Sequence, residues 1–118
     1  MLFRRLQQSG YDVFCAGERD GWMDWSSYDM VVVQNPHSSV KVIQNIAGFF
    51  STGKPLVVDL SNDFELMPPE HQDSERFGLH TFEKKKNYYA AMYLADHLVV
   101  NNAEFAQNLQ KSGFSASY

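Results

Sequence analysis

The chain has 118 residues, of which 44% are hydrophobic, 20% charged and 14% aromatic, the balance of one folded domain rather than of a disordered or fibrous chain. A domain of this size buries about two thirds of its unfolded surface, enough for a real core but with little room for a second lobe. Ten Lys and Arg against fourteen Asp and Glu give a net charge of −4, so no positive field draws in phosphate backbones or anionic lipid, and neither nucleic acid nor a membrane surface is an expected partner.

Residues 2–9 place Leu2, Phe3 and Leu6 on one helical face, with Gly10 as a left-handed stop, and read as a short amphipathic helix. Its opening, Met1-Leu2-Phe3-Arg4-Arg5-Leu6, turns polar too soon for a secretory leader. Residues 11–17 form a compact apolar run closed by Gly17 and predict a strand. That run holds Cys15, the sole cysteine, which cannot form an internal disulfide or a cysteine-rich metal site and reads as a buried strand residue of a cytoplasmic protein. A polar loop over residues 18–27 carries Trp22 and Trp25. With Tyr28 these are candidates for an aromatic platform under a sugar ring, or for a loop closing over the core.

Residues 29–35 are β-branched and apolar on both parities, the pattern of a strand covered on both faces, and Pro36 ends it. Ser38 or Ser39 caps a helix in which Val42, Ile43, Ile46, Ala47 and Phe50 recur at three and four, until Gly53 and Pro55 stop the pattern. A further strand, residues 54–60, runs straight into the polar cluster Ser61-Asn62-Asp63-Phe64-Glu65. The prolines at 68 and 69 keep residues 67–71 extended or turning. Residues 79–95 predict a longer helix with Phe82, Tyr89, Met92 and Tyr93 on one side and the solvated run Glu83-Lys84-Lys85-Lys86 in its first turns. Its apolar stretch, residues 88–95, is far shorter than the roughly 18 residues a membrane-spanning helix needs. Residues 97–101 form a fourth strand, and Asn101-Asn102-Ala103-Glu104 supplies an asparagine cap to a last helix ending near Gly113. Strands alternating with helices argue for βαβ units: an α/β, Rossmann-like three-layer sandwich with a mostly parallel sheet of about four strands, all in one domain spanning residues 1–118.

In such a sheet ligands bind beyond the carboxyl ends of the strands. Here those ends carry Asn35 and His37 after the second strand, Asp59, Asn62 and Asp63 at the close of the third, and Asn101 and Asn102 after the fourth. Amides and carboxylates suit sugar hydroxyls, and His37 or Asp63 is placed to accept a proton from one. The structural alternative is that these residues are ordinary turn and cap formers. Asp59-Leu60-Ser61-Asn62-Asp63 alternates oxygen ligands like a calcium loop, but Phe64 stands where the glycine belongs, so no metal is expected. No dinucleotide fingerprint and no phosphate-binding loop occurs, Gly53-Lys54 preceding a strand rather than a helix, and no cofactor is expected. His71 and His80 read as solvated.

Gly53-Lys54-Pro55-Leu56-Val57-Val58-Asp59-Leu60-Ser61-Asn62-Asp63-Phe64, then Tyr89-Ala90-Ala91-Met92-Tyr93-Leu94-Ala95-Asp96 and the exit Val99-Val100-Asn101-Asn102, together resemble the amino-terminal domain of a GT-B glycosyltransferase of the group 1 kind, over about residues 2–117. The resemblance implies two Rossmann-like lobes, the first binding mainly the sugar acceptor and the second mainly the nucleotide-sugar donor. It carries over to His37 and Asp63 as catalytic residues and to Asn35, Asp59, Asn62, Asn101 and Asn102 as substrate-binding ones. This chain matches the first lobe alone, lacks that family's first strand and its glycine-rich loop, and has Ser61 and Asn62 where carboxylates are usual. The expectation is an acceptor-side domain, incomplete on its own, that works with a second lobe or a homodimer partner. Its sheet would either rearrange to four strands or leave an edge for that partner. The other class of reading is a non-catalytic α/β module that binds a sugar or a protein.

Overall fold

The computed structural model describes residues 2–13 and 25–118. The β-branched runs become strands β1 (Val31–Gln34), β2 (Leu56–Leu60) and β3 (His97–Val100), joined by a two-residue β4 (Ala116–Ser117). All pair in parallel, in the order β1-β2-β3-β4. The helices are α1 (Leu2–Gln8), α2 (Val40–Phe50), α3 (Ser74–Phe77), α4 (Phe82–Leu94) and α5 (Ala103–Lys111). The chain is thus an α/β protein of the Rossmann-like kind, with a wholly parallel four-stranded sheet.

Register sorts the strand residues into two faces. Val31, Leu56 and Val33, Val58, Leu98, Ala116 lie in rows with Leu60 and Val100 on the core face, where Ile46 and Phe49 of α2, Tyr88 and Met92 of α4, and Phe105 and Leu109 of α5 pack on them. The other face carries the rows Val32, Val57, His97 and Gln34, Asp59, Val99, Ser117, with Val57, Asp59, His97 and Val99 half-buried. Each crossover steps one strand in the same direction, and right-handed connections then set α2, α4 and α5 on one side. Two side chains lock the sheet where the strands are short. Asp96 Oδ2 accepts from Leu56 N at 2.8 Å at the start of β2, and His97 reaches Ser115 Oγ at 2.7 Å and Ser117 Oγ at 2.8 Å across to β4.

Helix ends follow the capping chemistry. Ser39, Thr81 and Asn102 accept from Val42 N, Lys84 N and Phe105 N, and Gly10 and Gly113 end α1 and α5 with φ of 91° and 93°. Several sequence-based expectations change. Helix α4 begins at Phe82, because Thr81 caps it, and its inward face is Tyr88, Ala91 and Met92; Phe82 and Tyr93 point to solvent at 84% and 73% exposure. Aromatic residues stand on both sides of this helix, so apolar periodicity does not single out the buried one. Lys84 is not solvated like Lys85 and Lys86: its Nζ donates to Arg76 O at 2.8 Å and Ser38 O at 3.4 Å. Among the described residues the fourth strand of the sheet is β4, and β1 lies directly beside β2. Of the strand expected at residues 11–17, residues 11–13 are irregular, and the rest, with Cys15 and Trp22, lies outside the described residues. Trp25 packs half-buried against the core beside α2, the loop-closing arrangement. Among the described residues no helix is long and apolar enough to cross a membrane.

Candidate functional site

Asn35 leaves β1 in the left-handed region, with φ 45° and ψ 57°, a conformation that asparagine tolerates better than most side chains. That bend turns its amide toward the end of β2, where Nδ2 donates to Ser61 Oγ at 2.8 Å and Oδ1 accepts from Ser61 N at 3.0 Å. The Ser61 carbonyl in turn accepts from Asn101 Nδ2 at the end of β3. Asn101 Oδ1 accepts from Asn102 Nδ2 at 3.0 Å, and Asn102 Oδ1 caps α5 on Phe105 N at 2.7 Å. One chain of hydrogen bonds therefore joins the carboxyl ends of three adjacent strands, and three polar side chains expected at the rim, Asn35, Asn101 and Asn102, meet there through Ser61.

Asp63 stands at the same edge, half-buried, where Oδ1 accepts from Glu65 N at 3.3 Å and caps the 3-10 turn Phe64–Leu66. Asn62, between Ser61 and Asp63, is exposed. Asp59 is not part of the junction. Its side chain occupies the row of Gln34 and Val99 on the second face of the sheet, where burial holds its carboxyl above the usual carboxylate range, and only its carbonyl, accepting from Asn35 N at 2.9 Å, touches the rim.

His37 departs furthest from the expected placement. It sits in a 3-10 turn, Pro36–Ser38, with 0% exposure, and its ring lies 4.5 Å from Phe64, 5.3 Å from Tyr88 and 5.6 Å from Phe77 between centroids. Nε2 donates to Phe77 O at 2.8 Å. No sequence pattern points to this box, because Phe64, Phe77 and Tyr88 come from three separate segments. Burial pushes the imidazole below its ordinary value, the Phe77 carbonyl pushes it back up, and nearby Lys84 lowers it again. In this arrangement His37 is a core residue and does not reach a ligand at the rim.

Beside Asp63, a hollow of about 220 Å³ is lined by Phe64, Glu65, Leu79, His80, Lys85 and Tyr89, with the Tyr89 hydroxyl on Glu65 Oε1. Sequence reading singled out neither Glu65 nor Tyr89, since a lone carboxylate and a helical tyrosine carry no pattern. His71 and His80 are exposed, and among the described residues no group of three or more His, Cys, Asp or Glu side chains is placed to hold a metal ion. Chemically, the rim offers hydrogen-bond donors and acceptors and one carboxylate, Asp63, that caps a turn. No family model matches the chain, and no curated protein and no solved structure matches it.

Proposed function

We propose that this chain is the acceptor-side domain of a glycosyltransferase resembling the GT-B group 1 kind, contributing to glycosyl transfer from a nucleotide sugar together with a donor-binding lobe or partner. The observation that supports this reading is the junction of Asn35, Ser61, Asn101 and Asn102 with Asp63 beside it, at the carboxyl edge where open α/β sheets take their ligands. Asp63 is the candidate base. It takes the proton from an acceptor hydroxyl as that oxygen bonds to the anomeric carbon and the nucleotide leaves with the electron pair of the broken bond. Asn62, which is exposed, holds a neighbouring hydroxyl, while Asn35, Asn101 and Asn102 position the rim. His37 serves the fold in this scheme.

A second reading, a non-catalytic sugar-binding module, draws on the same bonds: the amides of Asn35, Asn101 and Asn102 are already engaged within the protein. Amide chemical shifts of the whole chain, titrated with simple glycans and with nucleotide sugars, test both. Glycan-induced shifts at residues 61–63 and 101–102, without nucleotide binding, are expected. Nucleotide binding at that rim, or no glycan binding at all, sinks the acceptor assignment. If glycans bind but no glycosyl transfer occurs when a donor lobe is supplied, the second reading stands, whereas transfer that survives Asp63→Ala removes Asp63 as the base.

A further inference from the structure

Among the described residues, the Nδ1 atom of His37 is the buried side-chain polar atom that has no hydrogen-bond partner. A carbonyl only accepts, so the Phe77 contact places the ring proton on Nε2 and leaves a bare lone pair on Nδ1 among three aromatic rings. A second proton would add both a charge and a donor without an acceptor, in a site closed to water.

The cover over this imidazole is residues 64–79. Phe64, Met67 and Leu79 anchor it in the core, while residues 68–73 and 75–76 are exposed. Its far end is tied to the body of the domain through Phe77 O by His37 and through Arg76 O by Lys84, at 2.8 Å each. The charged groups around the box come from each element packed on it. Helix α4 supplies Lys84 and a neutral Tyr88, whose hydroxyl burial, Asp63 and Glu65 all push up. Helix α3 supplies Arg76, its guanidinium 4.9 Å from the centre of the Phe77 ring, and the turn at Phe64 supplies Asp63 and Glu65; Lys41 of α2 is exposed. Ring faces attract a cation, but Lys84 opposes one and no carboxylate is bonded to the imidazole.

We propose that residues 64–79 are a proton-released strap, which neutral His37 fastens at Phe77 and which protonation of His37 frees, delivering the imidazole to water next to the rim. The sign follows from linkage. The fastened state binds the proton more weakly than an exposed histidine with its ordinary value near 6.5, so fastening is complete above that pH and weakens as pH falls below it. The device is independent of glycosyl transfer and stands if that reading fails.

Hydrogen exchange of the full chain at about pH 7.5 and about pH 5.5, corrected for intrinsic rates, tests it, since one bound proton changes an opening equilibrium by at most about tenfold per pH unit. Exchange at residues 66–79 is expected to rise several-fold at the lower pH while Val58 and Leu98 stay protected, and His37→Phe should abolish the rise. An unchanged strap, an equal rise in the strands, or a rise that persists in His37→Phe overturns the proposal. Nitrogen titration of the wild-type imidazoles gives a readout that needs no variant. His37 is expected to remain the neutral Nε2–H form below the ordinary histidine value near 6.5, and a His37 that charges at or above that value overturns it.

Discussion

Asn35 combines two requirements in one residue, a left-handed backbone and an amide that meets Ser61 at both of its ends. Alanine satisfies neither. A side-chain-bearing residue in this region costs about 1–2 kcal/mol, and each hydrogen bond contributes about 0.5–1.5 kcal/mol, so Asn35→Ala is expected to destabilise the domain by about 2–5 kcal/mol in urea unfolding. Asn35→Gly restores the backbone freedom but not the bonds, and is expected to cost about 1–3 kcal/mol. Equal losses in the two variants would mean that the backbone conformation is not what asparagine contributes here. The experiment also bears on the site, because a rim amide whose removal unfolds the protein is first a structural residue. Asn35 was legible as a rim residue from its place after an apolar run, but its bend was not, since φ depends on where Ser61 ends up in space.

At the scale of elements, the segment between β2 and α4 decides how the rim is covered. Gly78, which ends α3, has φ −65° and ψ 150°, open to any residue, so its constraint is space. A Cβ there would stand 2.5 Å from Ser74 O and 2.7 Å from His80 Cδ2. The exposed imidazole can swing away, whereas the carbonyl belongs to the turn and accepts from Gly78 N at 2.9 Å. Gly78→Ala is therefore expected to lose about 1–3 kcal/mol in thermal or urea unfolding, with amide shifts concentrated in residues 74–80. Full stability with unchanged shifts would show that this turn yields freely.

This segment also marks where sequence reading stops. The strands over 31–34, 56–60 and 97–100 and the caps at Ser39 and Asn102 were legible because β-branched runs and capping side chains act locally. Helix α3 is one turn long and β4 two residues, too short for any period to appear, and both are held by contacts with distant segments. The His37 box was illegible for the same reason. The rim residues Asn35, Asn101 and Asn102 were readable as a set because parallel strands end at one edge, whereas Ser61, which links them, was not a candidate, since its part depends on the order β1-β2-β3.

For the whole molecule, the monotonic order β1-β2-β3-β4 divides the sheet energetically as well as geometrically. Leu98 and Val99 are adjacent on β3 and belong to opposite faces: Leu98 is 1% exposed beneath the helices, while Val99 is half-buried in the row of Asp59 and Ser117. Truncating Leu98 to alanine removes buried methyl groups and leaves a cavity that rigid neighbours cannot fill, at an expected cost of about 2–5 kcal/mol. Truncating Val99 removes less apolar surface from a site that already meets water, so about 1 kcal/mol or less is expected. Urea unfolding of the two variants, read through midpoint and slope, measures the ratio directly. A Val99→Ala loss as large as that of Leu98→Ala would mean that the second face is packed as tightly as the first. The same face carries Asp59, half-buried, and that burial raises its carboxyl above the ordinary value; a tightly packed second face would bury that carboxylate further. With the core on the helical side and the polar junction at its carboxyl edge, Asn62, Asp63 and Asn101 lie outside the buried core cluster, so truncating them is expected to cost the fold less than truncating Leu98.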